Sequence, residues 1–358
     1  MANILKAMSF HEIIFFLGFL SLVVFMLMMD MGVFHKKDNV VSFKEAALWT
    51  CVWVTVALLF YFFVYFFADL IHGPETIDDL ISLNTRFNHK LQLQGLSFEQ
   101  ALPLYRHVLS LEYLTGYLME KSLSIDNIFV MILIFNAFAI EKKYYRRVLF
   151  YGILGAIIFR FIFIFTASAL MQRFEWILFI FGAMLIFAGI KTFAERNRED
   201  EIDIKNHPVV KFLSRRNIAT PDFQGHNFFI KRGSRILCTP LFLALIVIEI
   251  SDIVFAFDSV PAVFAVSKDP FVVFCSNIFA ILGLRSLFFM MERVMNRFHF
   301  LKIGLSVLLV FIGIKMFLPL FDIEMSVSVS LLAIVGIIAI SIIASLIFNK
   351  RSAKEEIH

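Results

Sequence analysis

The sequence predicts an all-α polytopic membrane protein of about nine transmembrane helices, with an inverted three-helix repeat formed by spans 3–5 and 6–8. Three observations predict it. Of 358 residues, 60% are hydrophobic and 17% charged, whereas soluble domains are roughly 45–50% apolar and about 25% charged. The apolar residues fall in blocks that reach the ~20 residues a bilayer-crossing helix needs. Two of these blocks carry clustered acids, "EKSLSIDN" from Glu120 and "EISDIVFAFDSVP" from Glu249, and charged landmarks of one half recur in the other.

The spans fall at 12–31, 46–68, 112–139, 148–170, 174–193, 236–264, 270–292, 300–318 and 326–348. Each is expected to be helical, because lipid offers backbone groups no partner and only helices or closed barrels pair them internally. Barrel strands would alternate polar and apolar residues over about ten positions. The expected organisation is 1–111 for two spans and the segment after them, and 112–193 for the first repeat. Then come a loop at 194–235, the second repeat at 236–318, and the last span and tail at 319–358.

Basic residues orient the spans, because short cytoplasmic loops concentrate Lys and Arg. Lys36, Lys37 and Lys44 follow span one; Lys142, Lys143, Arg146 and Arg147 follow span three; nine bases from Arg196 to Arg235 follow span five. Arg293 and Arg297 lie at and after the end of span seven with Lys302 just inside span eight, and Lys350, Arg351 and Lys354 lie in the tail, while the short intervening loops hold one base or none. The N-terminus is expected outside and the C-terminus in the cytoplasm, in an inner (cytoplasmic) membrane. The net charge of +4 follows from this asymmetry, so the lipid bilayer and not nucleic acid is the expected partner. Of the polar segments, "GPETIDD" reads as a turn and helix start, "HPVVKFLSRR" as an interfacial basic helix, and "FFIKRGSRIL" as a hairpin turning at Gly233. The first apolar block lacks a cleavage site and reads as a retained span. Cys51, Cys238 and Cys275 show no metal or disulfide spacing. No Walker loop, GxSxG or HExxH occurs, and an enzyme is not expected.

The repeat rests on registered landmarks. "RFEWILFIFGAMLIFAGIKTF" from Arg173 recurs as "RFHFLKIGLSVLLVFIGIKMF" from Arg297, an offset of 124. Arg160 recurs at Arg285 and Asp126 at Asp252, offsets of 125 and 126. Three spans per unit make the second copy enter from the opposite side, the arrangement of many secondary transporters with sites near the midplane.

The acids supply the candidate site: Glu120, Asp126 and Asn127 in span three, and Glu249, Asp252 and Asp258 in span six, with Ser124, Ser251 and Ser259 as supporting oxygens. Each acid in a span centre costs roughly 2.5–3.5 kcal/mol, so the set belongs in a protein interior or aqueous cavity with compensating positive charge. Arg160, Arg285, Lys191 and Lys315 are the charge-balancing candidates, the two lysines near span ends where they can snorkel. Oxygen ligands without His or Cys suit Mg²⁺, Ca²⁺ or Mn²⁺. The blander reading is a set of buried ion pairs, which desolvation makes a poor source of stability. Straight helices would splay Asp252 from Asp258 by about 240°, so a break is expected, at Pro261 in span six. Asp30 reads as a hydrated span-end acid, and His72, His89, His207 and His226 as solvated loop residues.

"DMGVFHKK", "VSFKEAALWT", "LTGYLMEKSLSIDNIFV" and "TPLFLALIVIEISDIVFAFDSVPAVFA" closely resemble segments of the TerC family of integral membrane proteins, in particular its Alx-like branch. Residues 72–111 look longer than the corresponding segment of typical members. The resemblance implies metal-ion transport, with Mn²⁺ export through Glu120, Ser124, Asp126, Asn127, Glu249, Ser251, Asp252, Asp258 and Ser259. No tightly bound cofactor is implied; Mn²⁺ would be the cargo, with Ca²⁺ or Mg²⁺ as alternatives and protons as a coupling ion. The alternative it leaves open is a membrane scaffold that supplies metal to exported proteins, or confers tellurium resistance, without net flux. An intramembrane aspartyl protease is disfavoured, since neither motif has a GxGD setting.

Overall fold

A computed structural model describes residues 9–34, 41–89, 91–174, 176–194, 220, 227–232, 235–294, 301–321, 323 and 325–355. Helices dominate, and one lies over each predicted span: α1 Phe10–Phe34, α2 Phe43–Phe67, α5 Phe98–Ala137, α6 Lys142–Arg173 and α7 Ile177–Ala194, then α8 Pro240–Phe264, α9 Pro270–Leu282 with α10 Leu284–Val294, α11 Leu301–Phe317 and α12 Val327–Glu355. Among the described residues six helices are long and apolar enough to cross a membrane, or seven if α9 and α10, bent by 45°, form one span. The chain is thus an all-α polytopic membrane protein. The other two predicted spans fall outside that criterion for physical reasons. The central stretch of α5 carries Glu112, Glu120, Lys121 and Asp126, and the apolar part of α7 is short.

Local chemistry explains the ends. Two short helices, α3 Asp69–His72 and α4 Ile77–Phe87, lie between α2 and α5. Gly73 ends α3 with φ of 66°, and Thr76 opens α4 in a capping box with Asp79, which satisfies two otherwise orphaned N–H groups. Ser97 and Gln100 make a second capping box, so α5 starts at Phe98, well before the predicted Glu112. At α9, Asp269 accepts from the Phe271 N–H while Pro270 fills the first position, where its missing donor costs nothing. The predicted hairpin forms: β1 Phe229–Arg232 pairs antiparallel with β2 Arg235–Cys238, Arg232 opposite Arg235. The segment read as a basic helix, and His207 and His226, lie outside the described residues.

Helix α9 is buried along its whole length, against α5 and α6 with α1 and α2 beyond. α1, α2 and α12 turn large apolar side chains outward, as lipid contact requires. The contacts exchange under the repeat offset: α5 packs on α9 as α8 packs on α6, and α7 packs most extensively on α11. A Cβ at Gly189 would meet Val310 and the Ser306 carbonyl; one at Gly313 would meet Ile186 and the Gly182 carbonyl. Each of those contacts maps onto the other by adding or removing 124. Small residues let membrane helices approach this closely. Gly189→Val, with a backbone oxygen 2.8 Å from the new Cβ, is expected to cost at least about 1–3 kcal/mol. Gly336→Ala, with nothing within 4 Å, should leave thermal unfolding in detergent unchanged or slightly raised.

The break expected at Pro261 is absent. α8 runs unbroken to Phe264 with Pro261 in its last turn, so the one ladder bond that its missing N–H forgoes lies near the helix end and does not interrupt the helix. α5 is likewise continuous through "KSLSIDN".

Candidate functional site

Three helices bring the central charges together. Glu120 on α5 and Asp252 on α8, one from each half, converge on Arg160 of α6. Arg160 is 1% exposed. One guanidinium nitrogen donates to Glu120 and, at 2.7 Å, to the Asn277 side-chain oxygen on α9. The other donates to Asp252 Oδ1 at 3.3 Å, and the Asn127 amide donates to the same oxygen at 3.4 Å. Glu249, one turn before Asp252, lays its carboxyl against α6 at Gly155, in the space a Cβ would occupy.

The oxygens are incompletely used. Glu120 Oε2, Glu249 Oε2, Asp252 Oδ2 and Ser259 Oγ are buried without a hydrogen-bond partner among the described residues. Buried polar groups are nearly always paired, so these orphaned oxygens are the ones left free to take a further partner. Ser124 and Ser251 donate to carbonyls of their own helices, Glu120 O at 2.7 Å and Val247 O at 2.8 Å, which leaves their lone pairs available. Asp126 and Asp258 lie on α5 and α8, with side chains outside the described residues. Among those described, no three acid, His or Cys side chains are gathered closely enough to hold a metal ion; the guanidinium sits between the acids.

The charge-balancing candidates separate. Arg160 serves the central acids. Arg285 instead meets α1, donating to the Asp30 carboxylate at 3.0 Å and to its backbone carbonyl. Asp30 is therefore buried and paired, not hydrated, because Arg285 covers the span end. Lys191 is exposed and Lys315 half-buried. Sequence reasoning missed Asn277; its one signal was an amide inside the apolar run "VVFCSNIFAIL". It also misread two histidines: His72 and His89 are buried against carboxylates, because acids distant in sequence close over them.

A polytopic helical membrane protein whose buried acids, carried on two separate helices, meet at one arginine is the class this architecture defines. The chain belongs to the TerC family of integral membrane proteins, whose family model matches residues 106–353. It is 44% identical over 336 residues, 94% of this chain and 92% of the relative, to an uncharacterized membrane protein of Myxococcus xanthus. It is 40% identical over 339 residues, 94% of this chain and 96% of the relative, to the "Putative membrane-bound redox modulator Alx" of Escherichia coli strain K12. A membrane protein of Rickettsia felis is 38% identical over 92% of this chain and 96% of its own. No solved structure matches.

Proposed function

We propose that the protein is a cytoplasmic-membrane transporter of divalent cations, exporting Mn²⁺, with its N-terminus outside. The observation that carries this reading is that Glu120 and Asp252, one from each half of the chain, meet at Arg160 with Glu249 one turn before Asp252 on α8, and that one oxygen of each acid is buried without a partner among the described residues. A single guanidinium cannot neutralise three carboxylates, and that excess suits a hard divalent cargo. Asp126, Asn127, Asp258, Ser124, Ser251 and Ser259 complete the proposed donor set. The reciprocal contacts of α7 with α11 support a rocking of one half against the other, which would expose the acids to each side in turn. Protons are the proposed coupling ion, since a carboxylate that gains one holds a cation less well.

The relative's name speaks of redox modulation, and the cysteines give that little purchase in this chain. All three are free, with Cys51 exposed on α2 and Cys238 and Cys275 buried. The carboxylates are the better-founded chemistry.

The test is flux. Asp252→Asn, reconstituted in liposomes, is expected to slow Mn²⁺ uptake at least tenfold, with Mg²⁺ and Ca²⁺ as competitors to rank the cargo. Flux equal to wild type at equal reconstituted protein would remove Asp252 from the pathway and sink the reading.

A further inference from the structure

A second buried polar cluster stands apart from the central acids and has no part in the function proposed above. Glu112 precedes Glu120 on α5 by eight residues, about 12 Å along the axis. At that level five side chains close up: Glu12 from the first turn of α1, His72 ending α3, His89 after α4, Glu112 on α5 and Asp269 capping α9. All five are buried, from 0% to 7% exposed. His72 lies between two carboxylates, Nδ1 2.8 Å from Glu12 Oε1 and Nε2 2.8 Å from Asp269 Oδ2. An ionised carboxylate only accepts hydrogen bonds, so a ring so placed donates from both nitrogens and carries the imidazolium charge.

The neighbouring pair engages its ring through one nitrogen. His89 Nδ1 is 3.0 Å from Glu112 Oε1, and the Ser267 hydroxyl donates to Glu112 Oε2 at 2.6 Å. His89 Nε2 and the Tyr105 hydroxyl are buried without a partner among the described residues. Three carboxylates thus face two imidazoles.

We propose that this cluster is a proton-binding site, in which the protons on His72 and His89 lock the start of α1 and the start of α9 to the segment between α2 and α5. Neutral rings would leave Glu12, Glu112 and Asp269 buried with too little positive charge, and uncompensated buried charge is strongly destabilising. Other titratable and charged groups surround the cluster. From α4, Arg86 reaches Glu12 Oε1 at 3.5 Å from a partly exposed position. On α1, His11 is exposed with its ring at Gly73. Asp69 of α3 is held by Arg106 of α5 at 2.6 Å, Tyr105 of α5 adds no charge, and Lys268 before α9 is half-buried.

The electrostatics agree with the geometry. Burial opposes charge on His72, and Asp269 and Glu12 outweigh it, raising its pKa from 6.5 to about 9. Burial likewise opposes charge on His89, and Glu112 outweighs it, so its pKa also rises. Burial pushes the Asp269 carboxyl up, but the two imidazoliums and the Phe271 N–H hold it low. A folded-state pKa above the unfolded one stabilises fully below the unfolded value and less as pH climbs through the folded one. The lock therefore holds at neutral pH and releases as pH rises through about 9.

The experiment is ¹⁵N-histidine NMR on the full chain in liposomes, with His72 and His89 signals assigned by their loss in His72→Gln and His89→Gln. His72 is expected to show two protonated nitrogens at neutral pH and to lose half that signal near pH 9; a neutral His72 at neutral pH overturns the proposal. Thermal unfolding supplies the second readout. Wild type should lose several degrees between about pH 7.5 and about pH 10, while His72→Gln starts lower and stays flat over that range; parallel curves overturn it. Should His72→Gln not fold, titration of wild type alone decides, because the absence of any imidazolium signal above about pH 8 also overturns it. None of these readouts depends on transport.

Discussion

Replacing Arg160 with Met is expected to cost about 3–5 kcal/mol of stability, the largest effect of any single change considered, because it strands two buried acids. Glu120 and Asp252 come from different halves, and Arg160 donates to both while also holding Asn277. Loss of the guanidinium leaves Glu120 and Asp252 in the core without their cation, and α5, α6, α8 and α9 lose their shared polar contact. Restoring neutrality should restore folding: Arg160→Met with Glu120→Gln and Asp252→Asn is expected to recover most of the lost stability, because a neutral core without the charges is often no worse than a buried pair. The same triple variant should transport nothing. Lys191→Met is the contrast, since an exposed lysine ought to change stability by no more than about 0.5 kcal/mol. Unfolding in detergent measures all three. An Arg160→Met protein as stable as wild type would show that the acids draw their compensation elsewhere.

The sequence was most informative where a helix answers to its own residues. Apolar length located every helix over a predicted span, "GPETIDD" announced a cap that Thr76 and Asp79 make, and "FFIKRGSRIL" announced strands that pair. The convergence of Glu120 and Asp252 was legible only because the cost of lipid-facing charge forces acids inward and the repeat pairs the motifs. Their meeting through Arg160 was not foreseen as geometry: a bend was expected where the chain supplied a third helix instead. His72 was misread for a related reason. Its partners Glu12 and Asp269 lie 60 and 197 residues away, and the local context "ADLIHGPE" shows only a turn. Asp30 suffered the same way, since Arg285 is 255 residues distant. Local pattern reports which groups are costly to bury, and tertiary closure decides which are buried with whom.

Gly155→Ala is expected to slow Mn²⁺ transport at least tenfold while leaving the fold intact. A Cβ on Gly155 would fall where the Glu249 carboxyl lies, whereas one on Gly152, a turn earlier on the same face of α6, would meet Ile248, Leu245 and Glu249 only at 3.6 to 4.0 Å. The two substitutions are identical in chemistry and in helix propensity, which Ala improves over Gly by about 1 kcal/mol. They differ in what they displace. The atom in the way at Gly155 is the end of a flexible side chain, so the helices need not separate and unfolding should not suffer. The carboxyl must move off α6, and it carries a buried oxygen without a partner, so its position matters only if something binds there. Gly152→Ala should transport as wild type does. If both alanine variants keep full flux with the same apparent affinity for Mn²⁺, the place of Glu249 on α6 is packing alone, and the proposed donor set shrinks to the acids that Arg160 touches.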